Sequence, residues 1–213
     1  MIYTGERPTF ENRESIISSV MRYKSVFPFC KNKKIIDLGC GIGHGTKLLM
    51  LNNDDKEKIV VGVDINLDSI TEATKGNKEF ISNLSFVCRD IFNVNFKGFV
   101  IVSMIEFIEH IEKSEAEKLI KKISNNVQTL VLTTPNGDFF KYHPKDDSEY
   151  KGFHKWHYAY EELLYLCNKE FKFVEVYAHL FDPKIRQFTS YIVFATNMIY
   201  EGDSTFSNTQ KVY

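Results

Sequence analysis

Continuous apolar runs alternate with segments of helical spacing through most of this 213-residue chain. Residues 11–29 place Ile16, Ile17, Val20, Tyr23 and Phe27 on one helical stripe, closed by Pro28. Residues 34–38 form a short β-branched strand that stops at Gly39-Cys40-Gly41, and a helix follows over 44–51. Beyond a polar loop at 52–58, residues 59–64 read as a second buried strand and 67–74 as a helix. Strands are predicted at 84–88, 98–103 and 129–133. Between the last two, residues 113–124 form a helix with Ala116, Leu119, Ile120 and Ile123 on its apolar face. A polar and aromatic connection runs over 135–158, a last helix over 160–168, and strands at 171–178 and 191–196 form an antiparallel pair.

Apolar strands alternating with helices predict an α/β fold of Rossmann-like type. Its seven-stranded, mainly parallel sheet has helices on both faces and an antiparallel last strand. The length suits a single domain over 1–200, with 1–30 as an N-terminal helical extension and 201–213 as a polar tail whose composition suits disorder. Ligands of such sheets bind outside the carboxyl ends of the strands, where the winding reverses. The polar motifs of this chain fall at those ends.

Composition narrows the picture only modestly. An apolar fraction of 43% and a charged fraction of 26% are ordinary for a globular protein. The formal net charge of −1 gives no global field toward nucleic acid or an anionic membrane. Lys31, Lys33 and Lys34 read as a solvated strand entry. Cys30, Cys40, Cys88 and Cys167 lie far apart with no Cys-x-x-Cys pair, which points to a reducing, cytoplasmic setting. No signal-peptide pattern is evident, and no apolar stretch approaches the roughly 20 residues that span a bilayer.

The segment Asp37-Leu38-Gly39-Cys40-Gly41-Ile42-Gly43-His44-Gly45 is a glycine-rich turn between a strand and a helix. Glycines there let a ligand approach the backbone, and the helix N-terminus offers N–H groups. No Gly-Lys-Ser/Thr follows, which excludes a phosphate-cradling P-loop. The next strand ends at Asp64-Ile65, where a carboxylate can accept from a ribose diol. The third is followed by Asp90-Ile91, a carboxylate for an adenine amino group and a side chain for its ring. Asp64 can equally cap a helix and Asp90 can start a turn; their order at successive strand ends favours the ligand reading.

On Ile36 to Gly43, Val61-Gly62-Val63-Asp64 and Cys88-Arg89-Asp90, the chain resembles the class I S-adenosylmethionine-dependent methyltransferases over about residues 3–180. The resemblance implies S-adenosylmethionine as cofactor. Asp37, Gly39, Cys40, Gly41 and Gly43 would form the loop around its methionine part, Asp64 and Ile65 would meet the ribose side, and Asp90 and Ile91 the adenine.

Strand four runs into Glu106-Phe107-Ile108-Glu109-His110, and His154 and His157 lie in the later connection. The Asn/Asp-Pro-Pro-Tyr pattern of base-amine methylation is absent. Tyr3-Thr4-Gly5-Glu6-Arg7, Arg22-Tyr23, the Glu-x-x-Glu-His segment, Thr134-Pro135-Asn136 and Phe153-His154 are similar to bacterial-type methyltransferases associated with glycan modification. Two departures make this a divergent member: Asn125-Asn126-Val127 stands for the usual Pro-Gly-Gly, and an acid is missing near Lys97-Gly98.

The resemblance implies O-methylation of a sugar, glycan or other small metabolite, with His110 and His154 as candidate bases and Glu106 as a catalytic partner. Small-RNA 2′-O-methyltransferases and ubiquinone-pathway O-methyltransferases show a similar signature. By that likeness Glu106, Glu109, His110 and His154 would hold a divalent metal (Mg, Mn or Zn), the first three sharing one helical face. RNA ribose methylation is a rival disfavoured by the charge, and a non-catalytic binding protein another, disfavoured by the intact glycine loop. Trp156, His157, Tyr158 and Tyr160 are read either as a platform for a ring or as a capping layer. Oligomeric state is not legible.

Overall fold

The computed structural model describes residues 13–30, 34–52, 58–80, 82–142, 154–182 and 187–198. The Tyr3 to Arg7 motif, Lys31, Lys33, His143, Phe153 and the 201–213 tail lie outside the described residues.

Seven strands form one sheet in the order β3-β2-β1-β4-β5-β7-β6. They are β1 Ile35–Leu38, β2 Val60–Asp64, β3 Leu84–Cys88, β4 Ile101–Ile105, β5 Thr129–Pro135, β6 Phe173–Asp182 and β7 Gln187–Thr196. The first five run parallel. β7 is antiparallel to both β5 and β6. Chain order steps outward from β1 to β3, then returns to lay β4 on the other side of β1. That reversal opens a crevice at the carboxyl ends of β1 and β4.

The apolar runs are continuous because both faces of the sheet are covered. On one face Ile36, Leu38, Val102, Met104, Leu130 and Leu132 pack with helix α4 (Lys113–Ser124) and helix α6 (Tyr160–Asn168). On the other, Ile35, Val60, Ile101 and Val131 pack with helix α1 (Arg13–Val26) and helix α2 (His44–Leu51). Helix α3 (Leu67–Gly76) starts at Asn66, whose side chain caps Ser69 N–H at 2.8 Å. The predicted face of α4 is the buried one; each of Leu119, Ile120 and Ile123 contributes about 1.5–3 kcal/mol by leaving water.

Four expectations need correction. The inward stripe of α1 is Ser19, Tyr23 and Val26, while Ile17 is 59% exposed. Polar contacts select this face: Ser19 Oγ meets His44 Nε2 at 2.7 Å, and Tyr23 OH donates to Asp37. β4 begins at Ile101 rather than residue 98, because its ladder starts opposite Ile35. The 135–158 connection contains a further helix, α5 (Gly137–Tyr142), capped by Asn136 Oδ1 accepting from Phe139 N–H at 3.0 Å. The final hairpin is longer than predicted, pairing Phe173 with Thr196 at one end and Asp182 with Gln187 at the other.

Candidate active site

The glycine-rich turn lies at the crevice and is held from below. Gly39 N–H and Cys40 N–H both donate to Val63 O, at 2.8 and 3.1 Å. Gly39, at φ +73, sits under Phe107, and a Cβ there would overlap the ring. Gly41 differs: at φ +53, a Cβ on it would meet nothing within 4 Å among the described residues. Space therefore lies open above Gly41, as backbone approach by a ligand requires.

Asp37 lies beneath this turn with no solvent exposure. Its carboxylate accepts from Tyr23 OH (3.1 Å), Thr46 Oγ1 (2.7 Å) and Ser103 Oγ (2.7 Å). Burial pushes its pKa up to about 6, against the opposing pull of those three hydroxyls. The oxygens face α1, α2 and β4, so Asp37 braces the loop rather than presenting itself to a ligand. Cys40 is likewise buried, and Ile91, at 3% exposed, belongs to the core beneath the pocket.

The half-buried Asp64 looks into the crevice from the end of β2. Oδ2 accepts Gly41 N–H at 2.9 Å and Oδ1 accepts Asn66 N–H at 2.8 Å. Each carboxylate oxygen carries two acceptor sites, so capacity for a further donor remains on both. Ile65 beside it is 41% exposed and offers an open apolar surface. Asp90 is half-buried, and its Oδ1 caps Phe92 N–H at 3.0 Å.

At the end of β4, Glu106 takes the positive φ of +51, turning the chain sharply before a 3-10 turn at Ile108–His110. The next strand then separates the two acids. Consecutive residues of β5 point to opposite faces. Thr133 Oγ1 donates to Glu106 Oε1 (2.8 Å), and Thr134 Oγ1 donates to Glu109 Oε2 (2.9 Å). Glu106 thus faces α1, where Arg22 Nε lies 3.2 Å from its Oε2. Arg22 Nε makes no hydrogen bond despite that distance, so the attraction is one of charge. His179 on β6 also faces Arg22. Burial, then the guanidinium charge, lowers its pKa to about 4.

Glu109 is fully buried on the opposite face. Burial raises its pKa well above the carboxylate range, and the charge of Glu106 adds to the effect. Among the described residues its Oε1 has no hydrogen-bond partner. Ligand atoms of Glu109, His110 and His154 lie within 4.8 Å of one another, the set among the described residues that could hold a metal ion. The expected four-residue set is reduced to three, because β5 draws Glu106 to the other side. An orphaned carboxylate oxygen beside two imidazoles is a donor set that fits a divalent cation.

The segment bearing His154 is clamped to this turn. Lys155 N–H and Trp156 N–H both donate to Glu109 O, at 2.6 and 3.2 Å. The Trp156 indole donates to Glu162 Oε2 at 3.0 Å and lies under Lys113 Nζ, 3.4 Å from the ring centroid. Tyr158 is buried. Of the expected aromatic cluster, His157 remains beside His154, stacked on Phe140. Ser103, Thr133 and Phe140 carry site geometry that the sequence did not single out, while Phe107 and Thr134 figured in its motifs without a role of their own. The adjacent threonines at the end of β5 were the available signal.

A switch-point crevice, a glycine loop at its lip and an antiparallel β7 between β5 and β6 define the Rossmann-like methyltransferase fold. The chain belongs to the family described as "Methyltransferase domain", which matches residues 30–179. Carboxy-S-adenosyl-L-methionine synthase of Helicobacter pylori (strain HPAG1) is 31% identical over 94 residues, 44% of this chain and 38% of that enzyme. The match therefore spans well under half of that relative's length. Among solved structures, magnesium protoporphyrin IX methyltransferase (ChlM) from Synechocystis PCC 6803 with bound SAH superposes with a TM-score of 0.65. It is 16% identical, covering 91% of this chain and 90% of that one. Small RNA methyltransferase HEN1 gives a TM-score of 0.67 at 18% identity, covering 99% of this chain and 29% of that one. At these identities the structural likeness is one of fold.

Proposed function

We propose that this protein is an S-adenosylmethionine-dependent methyltransferase acting on a hydroxyl oxygen of a sugar, glycan or other small metabolite. The observation that carries the reading is a juxtaposition at the carboxyl ends of adjacent strands. The open backbone at Gly41 follows β1, the receptive carboxylate of Asp64 ends β2, and the turn that bears His110 follows β4, with its Phe107 against Gly39. Family membership and the relative's name, a synthase of carboxy-S-adenosyl-L-methionine, support the cofactor. The matched stretch of that relative covers too little of the chain to support its reaction here.

When bound, the cofactor supplies a methyl group on a cationic sulfur. Gly39, Gly41 and Gly43 would line its methionine part, Asp64 the ribose hydroxyls, Ile65 one side of the base and Asp90 its amino group. In-line transfer forms the acceptor oxygen–carbon bond as the carbon–sulfur bond breaks, with the electron pair leaving on sulfur. The hydroxyl proton must also go, and His154 or His110 takes it as general base, worth typically about 10²–10⁴ in rate. Glu106 acts at a distance, anchoring α1 through Arg22. If Glu109, His110 and His154 instead hold a divalent cation, the histidine lone pairs are spent on it, and its chemistry there would be to lower the acceptor's pKa with neither histidine acting as the base. One carboxylate with two imidazoles suits Zn or Mn better than Mg.

The cluster of Glu109, His110 and His154 favours a second reading, methylation of an RNA ribose 2′-hydroxyl, in keeping with the small RNA methyltransferase among the fold neighbours. The net charge of −1 weighs against it. Methyl transfer from labelled cofactor, screened over sugars, glycans and short RNAs with and without Mn or Zn, tests both. Transfer to a sugar hydroxyl with no salt-sensitive RNA binding supports the first reading; transfer to RNA alone overturns it. Among the described residues no helix is long and apolar enough to cross a membrane.

A further inference from the structure

His154 Nδ1 lies 2.6 Å from His157 Nε2. Two neutral imidazoles at that distance share one proton: one nitrogen carries it and the other accepts. If His157 carries it, the remaining proton of His154 sits on Nε2, and that nitrogen can be neither a base nor a ligand. If His154 carries it on Nδ1, Nε2 keeps its lone pair. Which nitrogen bears the proton is set by the partner the other one meets.

We propose that His157 is a positioning residue that fixes His154 as its Nδ1–H tautomer, with Nε2 presenting its lone pair toward Glu109 and His110. The inference rests on the reading above in one respect, that His154 acts as a base or as a metal ligand.

The surroundings are built to hold the accepting ring still. His157 stacks on Phe140 with centroids 4.2 Å apart and planes 21° off parallel. It meets His154 edge-on, at 4.8 Å and 86°. Phe140 rests edge-on against buried Phe139, at 5.3 Å and 79°. Both phenylalanines belong to α5, which is capped by Asn136 and tied down where Asp138 Oδ2 accepts from Tyr191 OH and Tyr160 N–H, each at 2.8 Å. The backbone around His154 is already fixed by the two bonds to Glu109 O. The 2.6 Å contact with His157 restrains the ring of His154 and bears on its tautomer, beside the edge-on contact with His110 at 4.9 Å.

The test uses the full chain, metal-free and labelled with ¹⁵N. Long-range ¹H–¹⁵N spectra of the imidazoles are recorded at a pH where the ¹⁵N shifts themselves show both rings neutral, with assignment by His154→Gln. In the wild type the His154 signals should be those of the Nδ1–H tautomer. His157→Phe, which keeps the stack on Phe140 and removes the acceptor, should shift His154 to the Nε2–H form. His157→Gln, whose side-chain carbonyl can accept, should restore it. A wild-type His154 already in the Nε2–H form, or one unmoved by His157→Phe, overturns the proposal.

Cobalt(II) titration gives a second reading: His157→Phe should weaken binding about 10- to 100-fold with unchanged affinity for the demethylated cofactor. If cobalt does not bind even the wild type while the tautomer responds as stated, the metal reading falls and the positioning of a base stands.

Discussion

Replacing Asp64 by Asn is the sharpest test of the cofactor site. The carboxylate already accepts Gly41 N–H and Asn66 N–H, and one acceptor position remains on each oxygen. A ribose diol would fill those two with charge-assisted bonds, each worth about 1.5–3 kcal/mol when well desolvated. Asp64 is half-exposed, so water competes and the pair together should be worth about 2–3 kcal/mol. That corresponds to roughly 30- to 150-fold in affinity. Asn keeps one acceptor oxygen, turns the other position into a donor and removes the charge.

Calorimetric titration with S-adenosylhomocysteine should show this loss, while thermal unfolding confirms that the variant is folded. The same pair titrated with the 2′,3′-dideoxy analogue isolates the interaction: wild type and Asp64→Asn should then bind alike. Undiminished affinity of Asp64→Asn for the full ligand would refute the assignment. So would an equal loss with the dideoxy analogue, which would mean that Asp64 acts through the loop alone.

Other outcomes follow from the contacts around the site. Asp37 has a pKa moved from 3.8 to about 6, so the native state binds its proton more tightly than the unfolded chain. Stability from this group is then present below pH 4 and lost as pH rises toward 6, by about 3 kcal/mol in all. The stability of Asp37→Asn relative to wild type should therefore rise by about that amount between pH 4 and pH 7 in denaturant melts; a constant difference would contradict it. Gly39→Ala places a methyl in the Phe107 ring at a positive φ, and should lower stability by about 2–4 kcal/mol; Phe107→Ala in the same chain should recover part of it. Glu162→Gln weakens the tie between Lys113 and Trp156. Trp156 is the chain's single tryptophan, so its emission should shift to the red while global stability changes by about 1 kcal/mol or less.

Much of the scaffold was legible because it is written in periodicity. α4 has a 3.6-residue apolar repeat and polar flanks, so both its span and its buried face are readable. β1, β2 and β3 are apolar runs stopped by glycine or aspartate. α1 misled for a physical reason: its inward face was chosen by hydroxyls reaching Asp37 and His44, and an apolar stripe cannot reveal a polar preference. α5 was hidden because Pro135-Asn136-Gly137 also spells a turn. The glycine-rich motif marked the loop at the crevice but not which side chains turn toward it, since Asp37 and Ile91 turn inward by contacts that involve distant residues. Glu106 was grouped with Glu109 on helical spacing. A positive φ on a glutamate leaves no trace in sequence, and the pleat of β5 then sent the two acids to opposite faces.

The strand order carries an evolutionary consequence. β1 to β3, with the loops that hold Asp64 and Asp90, come from one continuous stretch, while β4 to β7 and the histidine-bearing segments come from the next. Across the middle of the sheet the two stretches meet along a single ladder, Ile35 to Asp37 against Ile101 to Ser103. Mutations in the surface loops of the later half can accumulate without disturbing the earlier one, so long as that seam and the core that Ile36 and Leu38 share with α4 are kept. Descendants of one such ancestor could therefore diverge freely in what they modify while inheriting the same donor.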